Sequence, residues 1–418
     1  MRRFANSLAA AARRRRAPSH DGFITSGRRH EFERQMIYWL ATHFETFWRD
    51  HGLWTYVNVF RYQTFRTSMA VLTSFLIMML IAPRIVLVLL RLRVGSSVDF
   101  DQEKINELYA TKRSTPSMGG LIIVIALLVA TILWADIGNF YVFLGMLTVV
   151  WLGALGFVDD YLKMVAKSRG GLRSWEKFVF QIGLAVILGA FLWKHSCPEV
   201  RLPPSVGFEE LGRALPLSLP FWKHPIALTL PLFMIVSVAV VAGTSNAVNL
   251  ADGMDGLASG AMAIVTMVFL GVTYVAGRVD YSMYLLFPHV PGAGELSVYC
   301  GAILGAVLGF LWFNCHPARV FMGDTGSLPL GGAIGLVALV IRQEVLLFIV
   351  GGVFVMEAFS VVLQVAYFKL SGGRRIFLMS PIHHHFQLKG WTETQTVVRF
   401  WLIGAMCAAL ALATLKLR

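Results

Sequence analysis

Two adjacent carboxylates, Asp159 and Asp160, follow a long apolar stretch in the string G-F-V-D-D-Y. Acidic residues are stabilised at the N-terminal end of a helix, whereas this pair follows the C-terminal end of one, so helix formation gives no reason for it. A like-charged neighbour can raise the pKa of one carboxyl group, which suits either a metal ligand or a general base. Lys163 and Lys167 continue the same polar face and are predicted to bind substrate.

A second acidic cluster lies in the string N-A-V-N-L-A-D-G-M-D-G-L-A. Asn249, Asp252 and Asp255 are three residues apart, which places them on one side of a helix or tight turn. Gly253 and Gly256 predict a broken helix whose backbone approaches a ligand. The spacing is loosely that of a calcium loop, but the other oxygen ligands and the glutamate at position 12 of such a loop are missing.

A third acidic position is Asp324 in F-M-G-D-T-G-S-L, where Thr325 and Ser327 are candidate helix caps. Upstream, Lys112 and Arg113 precede an apolar segment and suit a phosphate at a helix N-terminus. In that segment we expect Thr115 to cap the helix and Pro116 to occupy its first turn. An aspartate at a helix start is common for stability alone, so this motif by itself is weak evidence for a functional site. It supports one only together with the other two acidic clusters.

Three consecutive histidines, His383, His384 and His385, stand in the string P-I-H-H-H-F. Three neighbours cannot all point one way, so we expect one or two to reach a site and the rest to pack. Aspartates dominate the other clusters, and an oxygen-rich site suits Mg²⁺ or Mn²⁺ better than zinc. The histidines are therefore interpreted as hydrogen-bond donors or cations for phosphate oxygens.

Carboxylates, cations and histidines of this kind are the parts that metal-assisted phosphoryl transfer requires. The sequence has no Walker A motif and no G-x-G-x-x-G before a strand, which argues against an ATPase or a Rossmann enzyme. The residues alone thus predict transfer between a soluble phosphate-bearing substrate and a lipid.

The elements that position these residues are predicted to be membrane helices. Hydrophobic residues make up 56% of the chain and charged residues 15%, against about 25% charged in soluble domains. Four cysteines are too widely spaced for a disulfide scaffold. With about 20 apolar residues per span, the sequence predicts an all-α polytopic membrane protein with about ten transmembrane helices. The predicted segments are 67–90, 118–135, 140–158, 178–194, 225–247, 257–277, 295–313, 327–341, 344–368 and 397–415.

The charge distribution predicts orientation. Lysine and arginine concentrate in every second loop, beginning with the one after the first helix, so these loops and the polar clusters on them are expected to face the cytoplasm. With ten spans, both termini are then periplasmic. Residues 1–35 contain nine arginines, which opposes this rule, and they are predicted to be a disordered, dispensable extension of a transferase domain at 36–418. A basic arm on the membrane surface is the alternative.

Six strings occur in the order of a known family across residues 36–418: T-P-S-M-G-G, G-F-V-D-D-Y, N-A-V-N-L-A-D-G-M-D-G-L-A, F-M-G-D-T-G-S-L, P-I-H-H-H-F and V-V-R-F-W. In these the chain resembles the phospho-N-acetylmuramoyl-pentapeptide-transferases, a branch of the polyprenyl-phosphate N-acetylhexosamine-1-phosphate transferases. The resemblance implies transfer from UDP-N-acetylmuramoyl-pentapeptide to undecaprenyl phosphate, giving lipid I and UMP. It also implies Mg²⁺ dependence (with Mn²⁺ as a substitute), the bacterial inner membrane and a homodimer; no nucleic-acid partner is expected.

The resemblance also implies roles for individual residues. Asp324 corresponds to a Mg²⁺ ligand, Asp159 to the base for the lipid phosphate, and Asp160 to its essential neighbour; all three are candidate metal ligands. Further positions correspond to residues that bind the nucleotide donor. Those around the nucleotide diphosphate are Asn249, Asp252 and Asp255, and those at the uridine are Lys112, Asn314 and Phe321. Those near the diphosphate or sugar are His383, His384 and His385. Among these, His383 is also a candidate catalytic residue.

Two other functions stay open on the sequence alone. A sister enzyme would transfer N-acetylglucosamine-1-phosphate to a polyprenyl phosphate, and substrate choice separates the two. A transporter would place its acidic residues at mid-membrane depth within an inverted repeat. The acids here lie at one face, and no repeat is seen in the sequence.

Overall fold

Helices make up nearly all of the molecule. The computed structural model describes residues 37, 43–91, 115–164, 171–196, 214–222 and 224–415. The helices and strands in this part of the chain are, in order, α1 (Glu45–Asp50), α2 (Trp54–Val57), a 3₁₀ turn (Asn58–Arg61), α3 (Gln63–Arg91), α4 (Gly120–Trp134), α5 (Phe140–Met164), α6 (Ser174–Ser196), β1 (Leu215–Leu217), β2 (Ile226–Leu228), α7 (Leu230–Ala251), α8 (Leu257–Ala276), α9 (Val279–Tyr284), α10 (Glu295–Asn314), α11 (Asp324–Val340), α12 (Glu344–Val350), α13 (Gly352–Leu370), α14 (Ile382–Leu388) and α15 (Glu393–Thr414).

The helical, polytopic membrane class is confirmed. Among the described residues, eight helices are long and apolar enough to cross a membrane, namely α3, α5, α6, α7, α8, α10, α13 and α15. Two further predicted segments form the shorter apolar helices α4 and α11, of 15 and 17 residues. Every predicted apolar segment therefore contains a helix, whereas a total of ten spans and the side on which the termini lie remain predictions.

Several predicted boundaries are wrong. The segment 344–368 is two helices, α12 and α13, interrupted at Gly351. The segment 225–247 begins with β2, which pairs antiparallel with β1. In addition, α4 begins at Gly120 with Gly119 as its N-cap, so Thr115 and Pro116 lie before the helix and do not cap it. The strand pairing and the hydrogen bonds from Gly119 and Gly120 to the 321–322 backbone involve distant parts of the chain, which a hydropathy window does not detect.

Helix α11 lies at the centre of the molecule. All of its residues are buried, and it packs against α5, α7 and α4. A helix that is apolar all round is expected to be enclosed by other helices. The peripheral helices instead expose large apolar side chains, such as Leu72, Leu76 and Leu80 on α3, which suits contact with lipid.

Three glycines allow the helices to meet at backbone distance around the start of α11. A Cβ atom at Gly120 of α4 would collide with the backbone of Gly326, and one at Gly156 of α5 would collide with the backbone of Asp324. Small residues permit such close approach between membrane helices. The three helices are therefore held in one register, in which the first turn of α11 lies against the end of α5. The glycine pairs Gly119-Gly120, Gly331-Gly332 and Gly351-Gly352 are predicted from the sequence to serve packing, and one glycine or both in each pair lie close against a neighbouring helix.

At the opposite end of these helices a buried ion pair joins α3 to α10. Arg66 donates two hydrogen bonds to Glu295, at 2.6 and 2.8 Å. Glu295 also accepts a hydrogen bond from the backbone N–H of Asp136, which follows α4. The pair thus fixes three elements far from the acidic residues. The predicted extension at 1–35 lies outside the described residues.

Candidate active site

Four helix ends meet at one end of the bundle and bring the predicted acidic residues together. The last turns of α5 carry Asp159 and Asp160, because this helix continues to Met164 rather than ending before the pair as predicted. The first residue of α11 is Asp324. The last turn of α7 supplies Asn249, and the first turn of α6 supplies Lys177. The Asp159, Asp160 and Asp324 side chains each offer an oxygen, and these oxygens lie within 4.8 Å of one another.

Two lysines bridge the carboxylates of Asp159 and Asp324. The Nζ atom of Lys177 lies 2.7 Å from Oδ2 of Asp159 and 2.6 Å from Oδ2 of Asp324. Lys163 lies one turn after Asp159, and its Nζ atom is 2.5 Å from Oδ2 of Asp159 and 3.3 Å from Oδ2 of Asp324. Asp159 is fully buried, whereas the Lys163 side chain is 37% exposed, so the site opens on the lysine side. The two buried charges are thereby paired, as burial requires.

Asp160 holds the first turn of α11. Its Oδ2 accepts hydrogen bonds from the Thr325 backbone N–H at 3.0 Å and from the Thr325 hydroxyl at 2.7 Å, and its Oδ1 accepts one from the Asp324 N–H at 3.3 Å. A carboxylate at a helix N-terminus satisfies unpaired N–H groups and the helix dipole. The inference that no helix-building reason exists for the pair is therefore wrong for Asp160, which caps a helix other than its own.

Asn249 and Asp252 extend this centre. The Asn249 amide donates to Oδ1 of Asp324 at 2.7 Å and to the Ser327 hydroxyl at 2.9 Å. Asp252 follows α7 and accepts a hydrogen bond from the Gly323 N–H at 3.1 Å. Burial raises the pKa of the Asp252 carboxyl well above its usual range, and the negative charge of Asp324 adds to the shift. The predicted helix break is present, since α7 ends at Ala251 and α8 begins at Leu257.

The centre fits a divalent cation that prefers oxygen ligands. Asp159 and Asp324 each turn an oxygen toward the two ammonium groups, so a positive charge is already stabilised between them. Asp160 has both oxygens occupied by N–H and O–H donors of α11. Of the three predicted metal ligands, Asp159 and Asp324 therefore face the lysines with one oxygen each, and Asp160 holds the first turn of α11.

Asp255 lies in a second, separate group. Its Oδ2 is 3.0 Å from Nδ1 of His316 and accepts the Ala318 N–H at 3.1 Å. Glu393 at the start of α15 accepts the Asp255 N–H at 2.9 Å, and its carboxylate lies 3.5 Å from His316. Together Asp255, His316 and Glu393 form a second cluster whose ligand atoms could hold a metal ion. These hydrogen bonds tie three loops of the same end together.

Asn314 and Phe321, predicted at the uridine, lie on either side of a short loop. Asn314 is buried and accepts hydrogen bonds from the Gly256 N–H and the Ser259 hydroxyl, both at 3.0 Å. The backbone of Phe321 pairs with Pro116 and Gly119 ahead of α4, and its side chain is half-buried. The two residues belong to the same end of the molecule as the acidic centre. Lys112 and Lys167, also predicted to bind substrate, lie outside the described residues.

The three histidines have three different environments, as their spacing requires. His383 is fully buried, and its Nδ1 is 3.0 Å from Oε2 of Glu357, which is also fully buried. His384 contacts Gln387 at 2.9 Å. His385 is half-buried and accepts the Leu378 N–H at 3.1 Å. His383 alone lies against the Gly253 backbone between Asp252 and Asp255.

Sequence reasoning misses four side chains of this region: Lys177, Glu357, His316 and Glu393. Lys177 enters the sequence prediction only as a loop charge that orients the helices. A signal for it exists, because a cation in the first turn of a helix opposes the helix dipole and so favours a functional reason. Glu357 lies inside an apolar span, where an ionisable residue is by default a candidate functional residue. No comparable signal marks His316 or Glu393.

Fold and site together define a polytopic membrane protein with a buried, lysine-bridged acidic centre where its helix ends meet. The sequence profile of glycosyl transferase family 4 matches residues 140–342, which include Asp159, Asp160, Asn249 and Asp324. The chain is 46% identical over 369 residues to the phospho-N-acetylmuramoyl-pentapeptide-transferase of Desulfotalea psychrophila, which covers 88% of this chain and 98% of that relative.

Two further relatives of the same name agree. The enzyme of Desulforapulum autotrophicum is 44% identical over 364 residues, covering 87% of this chain and 96% of the relative. The enzyme of Leptospira biflexa is 44% identical over 385 residues, covering 92% of this chain and all of the relative. The chain belongs to the phospho-N-acetylmuramoyl-pentapeptide-transferase family.

Proposed function

We propose that this protein transfers phospho-N-acetylmuramoyl-pentapeptide from UDP-N-acetylmuramoyl-pentapeptide to undecaprenyl phosphate, producing lipid I and UMP. The observation that carries the proposal is the pairing of Asp159 and Asp324 through Lys163 and Lys177 at one end of a membrane bundle. Such a site has the carboxylates, the cations and the access to lipid that this reaction needs.

The chemistry divides among these side chains. An oxygen of the lipid phosphate forms a bond to the sugar-bearing phosphorus, and the bond from that phosphorus to the oxygen of UMP breaks. Asp159 accepts the proton of the lipid phosphate, so that a more nucleophilic oxygen attacks. Lys163 and Lys177 stabilise the negative charge on the phosphoryl oxygens as it redistributes. Asp160 fixes the first turn of α11, which keeps Asp324 in register with Asp159.

A divalent cation completes this site. Asp159 and Asp324 would hold Mg²⁺, with Mn²⁺ as a substitute, since both ions favour carboxylate oxygens and substrate phosphates. When bound, the ion neutralises charge on the diphosphate of the donor. Asn249 and Asp252 would border the diphosphate, Asp255 and the loop of Asn314 and Phe321 the nucleoside, and His383, His384 and His385 the diphosphate or sugar.

The same proposal places the protein in the bacterial inner membrane. The active site faces the cytoplasm, where the soluble nucleotide donor is available, and both termini are periplasmic. Residues 36–418 form the ten-helix transferase domain, which acts as a homodimer, and residues 1–35 are a dispensable extension. The lysines and arginines near the site then both orient the helices and attract an anionic substrate.

A transfer assay with the purified full chain, undecaprenyl phosphate and radiolabelled UDP-N-acetylmuramoyl-pentapeptide tests the function. We expect Mg²⁺-dependent lipid-linked product and UMP. Asp159→Asn, Asp160→Asn and Asp324→Asn should each abolish product, whereas Asp280→Asn, at an exposed carboxylate of α9, should not. Full activity in all three site variants would contradict the assignment. Product from UDP-N-acetylglucosamine alone would favour the sister enzyme, and no lipid-linked product with either donor would favour a transporter.

A further inference from the structure

A buried pair, His383 and Glu357, lies behind the loop that carries Asp252 and Asp255. His383 lies at the start of α14 and Glu357 inside α13, and both side chains are fully buried. The Nδ1 atom of His383 is 3.0 Å from Oε2 of Glu357. An ionised carboxylate only accepts hydrogen bonds, so Glu357 holds the His383 ring with a proton on Nδ1. This contact fixes both the orientation of the ring and its tautomer.

The other ring nitrogen of His383, Nε2, lies on the side of the 252–255 loop. Nε2 of His383 is buried, and it has no hydrogen-bond partner among the described residues. It lies directly against Gly253, where any Cβ atom would collide with it. Gly253 is between Asp252, which is bonded to the backbone of Gly323, and Asp255. A buried polar atom without a partner is rare in folded proteins and marks a place where a ligand atom can supply one.

The two neighbouring histidines make other contacts. His384 contacts the amide side chain of Gln387 within its own helix. His385 accepts a backbone N–H on Nδ1, so its proton lies on the other nitrogen. His383 combines a carboxylate on one nitrogen with an unpartnered nitrogen that lies against the 252–255 loop.

We infer that Glu357 is a positioning residue of the transferase, which acts through His383. It holds the ring through Nδ1, as a buried ion pair whenever the ring is protonated, so that the N–H at Nε2 donates to a phosphate oxygen of the bound nucleotide donor. Glu357 itself is buried behind the ring and does not touch the substrate. The inference rests on the proposed function, because the donor diphosphate is the ligand that Nε2 would meet.

A double-mutant cycle tests this role. Glu357→Gln keeps the size of the side chain and an oxygen that can accept the Nδ1–H, but it removes the charge. We expect kcat to fall about 10- to 100-fold, as when the hydrogen-bonding partner of a metal-bound histidine is removed, with the KM for undecaprenyl phosphate unchanged. In a His383→Asn background the same substitution should change kcat by less than about twofold, since Glu357 then has no ring to hold.

Ser360→Ala is the matched control, because Ser360 is a buried polar residue one turn further along α13. It should keep wild-type kcat. A merely structural role of Glu357 predicts that its effect multiplies with that of His383→Asn, and this result would overturn the inference. So would wild-type kcat in Glu357→Gln. Thermal unfolding of each variant in detergent shows whether the protein is folded. Glu357→Asp is a second variant, which retains the charge and should recover part of the activity that Glu357→Gln loses. If Glu357→Asp is folded and recovers no activity, the inference is contradicted. If the wild-type chain itself makes no lipid-linked product, the proposed function fails instead.

Discussion

At the scale of single residues, the three carboxylates of the centre differ in what they are free to do. Asp160 uses its oxygens to cap α11. Asp159 and Asp324 share two ammonium groups through one oxygen each. Under the proposed function, proton transfer and coordination would fall to Asp159 and Asp324, while Asp160 holds the first turn of α11, which begins with Asp324. The same substitution at the three positions should thus impair activity for different reasons.

Lys177 is expected to be as important as the carboxylates. Lys177→Gln removes the ammonium group that lies 2.7 Å from Asp159 and 2.6 Å from Asp324. Two buried carboxylates then lose a shared partner, and we expect kcat to fall about 100- to 1,000-fold, as when a preorganised electrostatic group is lost. Steady-state transfer rates measure this. Lys194→Gln, at an exposed position in the last turn of the same helix, should keep normal activity, and an equal loss there would argue for a general effect on α6.

Asp252 is expected to make the stability of the folded protein depend on pH. Its pKa is raised by burial, whereas the unfolded chain ionises near the ordinary value of 3.8. As pH rises above that value, the unfolded chain releases this proton first, so the free energy of unfolding falls. Asp252→Asn keeps an acceptor for the Gly323 N–H and removes the titration. Thermal unfolding should show the stability of the variant increasing relative to that of wild type as the pH rises above about 4; a difference that does not change with pH would contradict the expectation.

The residue types of the centre were predictable, but their partners were not. Asp159, Asp160, Asn249 and Asp324 stand out because polar residues beside apolar spans need a reason. Lys177 and Glu357 carry signals of their own, a cation in the first turn of a helix and an ionisable residue inside an apolar span, but neither signal says which residue is the partner. The role of Asp160 as a cap also depends on a helix 164 positions later in the chain.

At the scale of elements, the meeting of α4, α5 and α11 determines the geometry of the site. The three helices touch through glycines that have no side chain to separate them, namely Gly120 of α4, Gly156 of α5 and Gly326 of α11. Only this spacing lets a carboxylate at the end of α5 reach the N–H groups of α11. The crossing is therefore as much a part of the active site as the aspartates are.

Gly156→Ala is expected to inactivate the enzyme without touching any charged group. The new methyl group would collide with the backbone of Asp324, which costs about 1–3 kcal/mol of overpacking. A displacement of about 1 Å at Asp324 should lower kcat about 100-fold. Transfer rates and thermal unfolding measure both effects. Gly153→Ala, one turn earlier, places a methyl group 3.4 Å from the Val124 side chain and should be tolerated; the reverse order of effects would be inconsistent with the crossing.

The apolar segments were predicted well because a run of about 20 apolar residues is long enough to cross a bilayer and is rare in soluble helices. The ends of the elements were not. Gly351 breaks one predicted span into α12 and α13, and residues 226–228 pair with 215–217 instead of starting a helix. In the second case the antiparallel partner β1 supplies the hydrogen bonds that decide the boundary.

At the scale of the whole molecule, charge and apolar surface are separated. Exposed apolar side chains cover the peripheral helices, while the ionisable side chains of the site gather at one end. A substrate with a soluble nucleotide and a lipid partner needs both surfaces side by side. The separation also predicts which side of the membrane each loop occupies.

Cys315 provides a test of that orientation. It is exposed in the loop between α10 and α11, whereas Cys300 is buried. In a Cys197→Ser background, which removes the cysteine predicted on the opposite side, a membrane-impermeant maleimide should label Cys315 in inside-out vesicles and not in intact cells. A Cys315→Ser variant in the same background provides the unlabelled control. Labelling of Cys315 in intact cells would place the active site outside and reverse the predicted topology.

The cap that Asp160 forms on α11 has a consequence for handling the protein. Catalytic geometry here depends on how two helices are docked, not on either helix by itself. A detergent that loosens the docking by a fraction of a turn would separate the carboxylates while leaving each helix intact. Circular dichroism would then show normal helical content in a protein that has lost its activity. A solubilising agent should therefore be chosen by the turnover that it preserves and not by helical content.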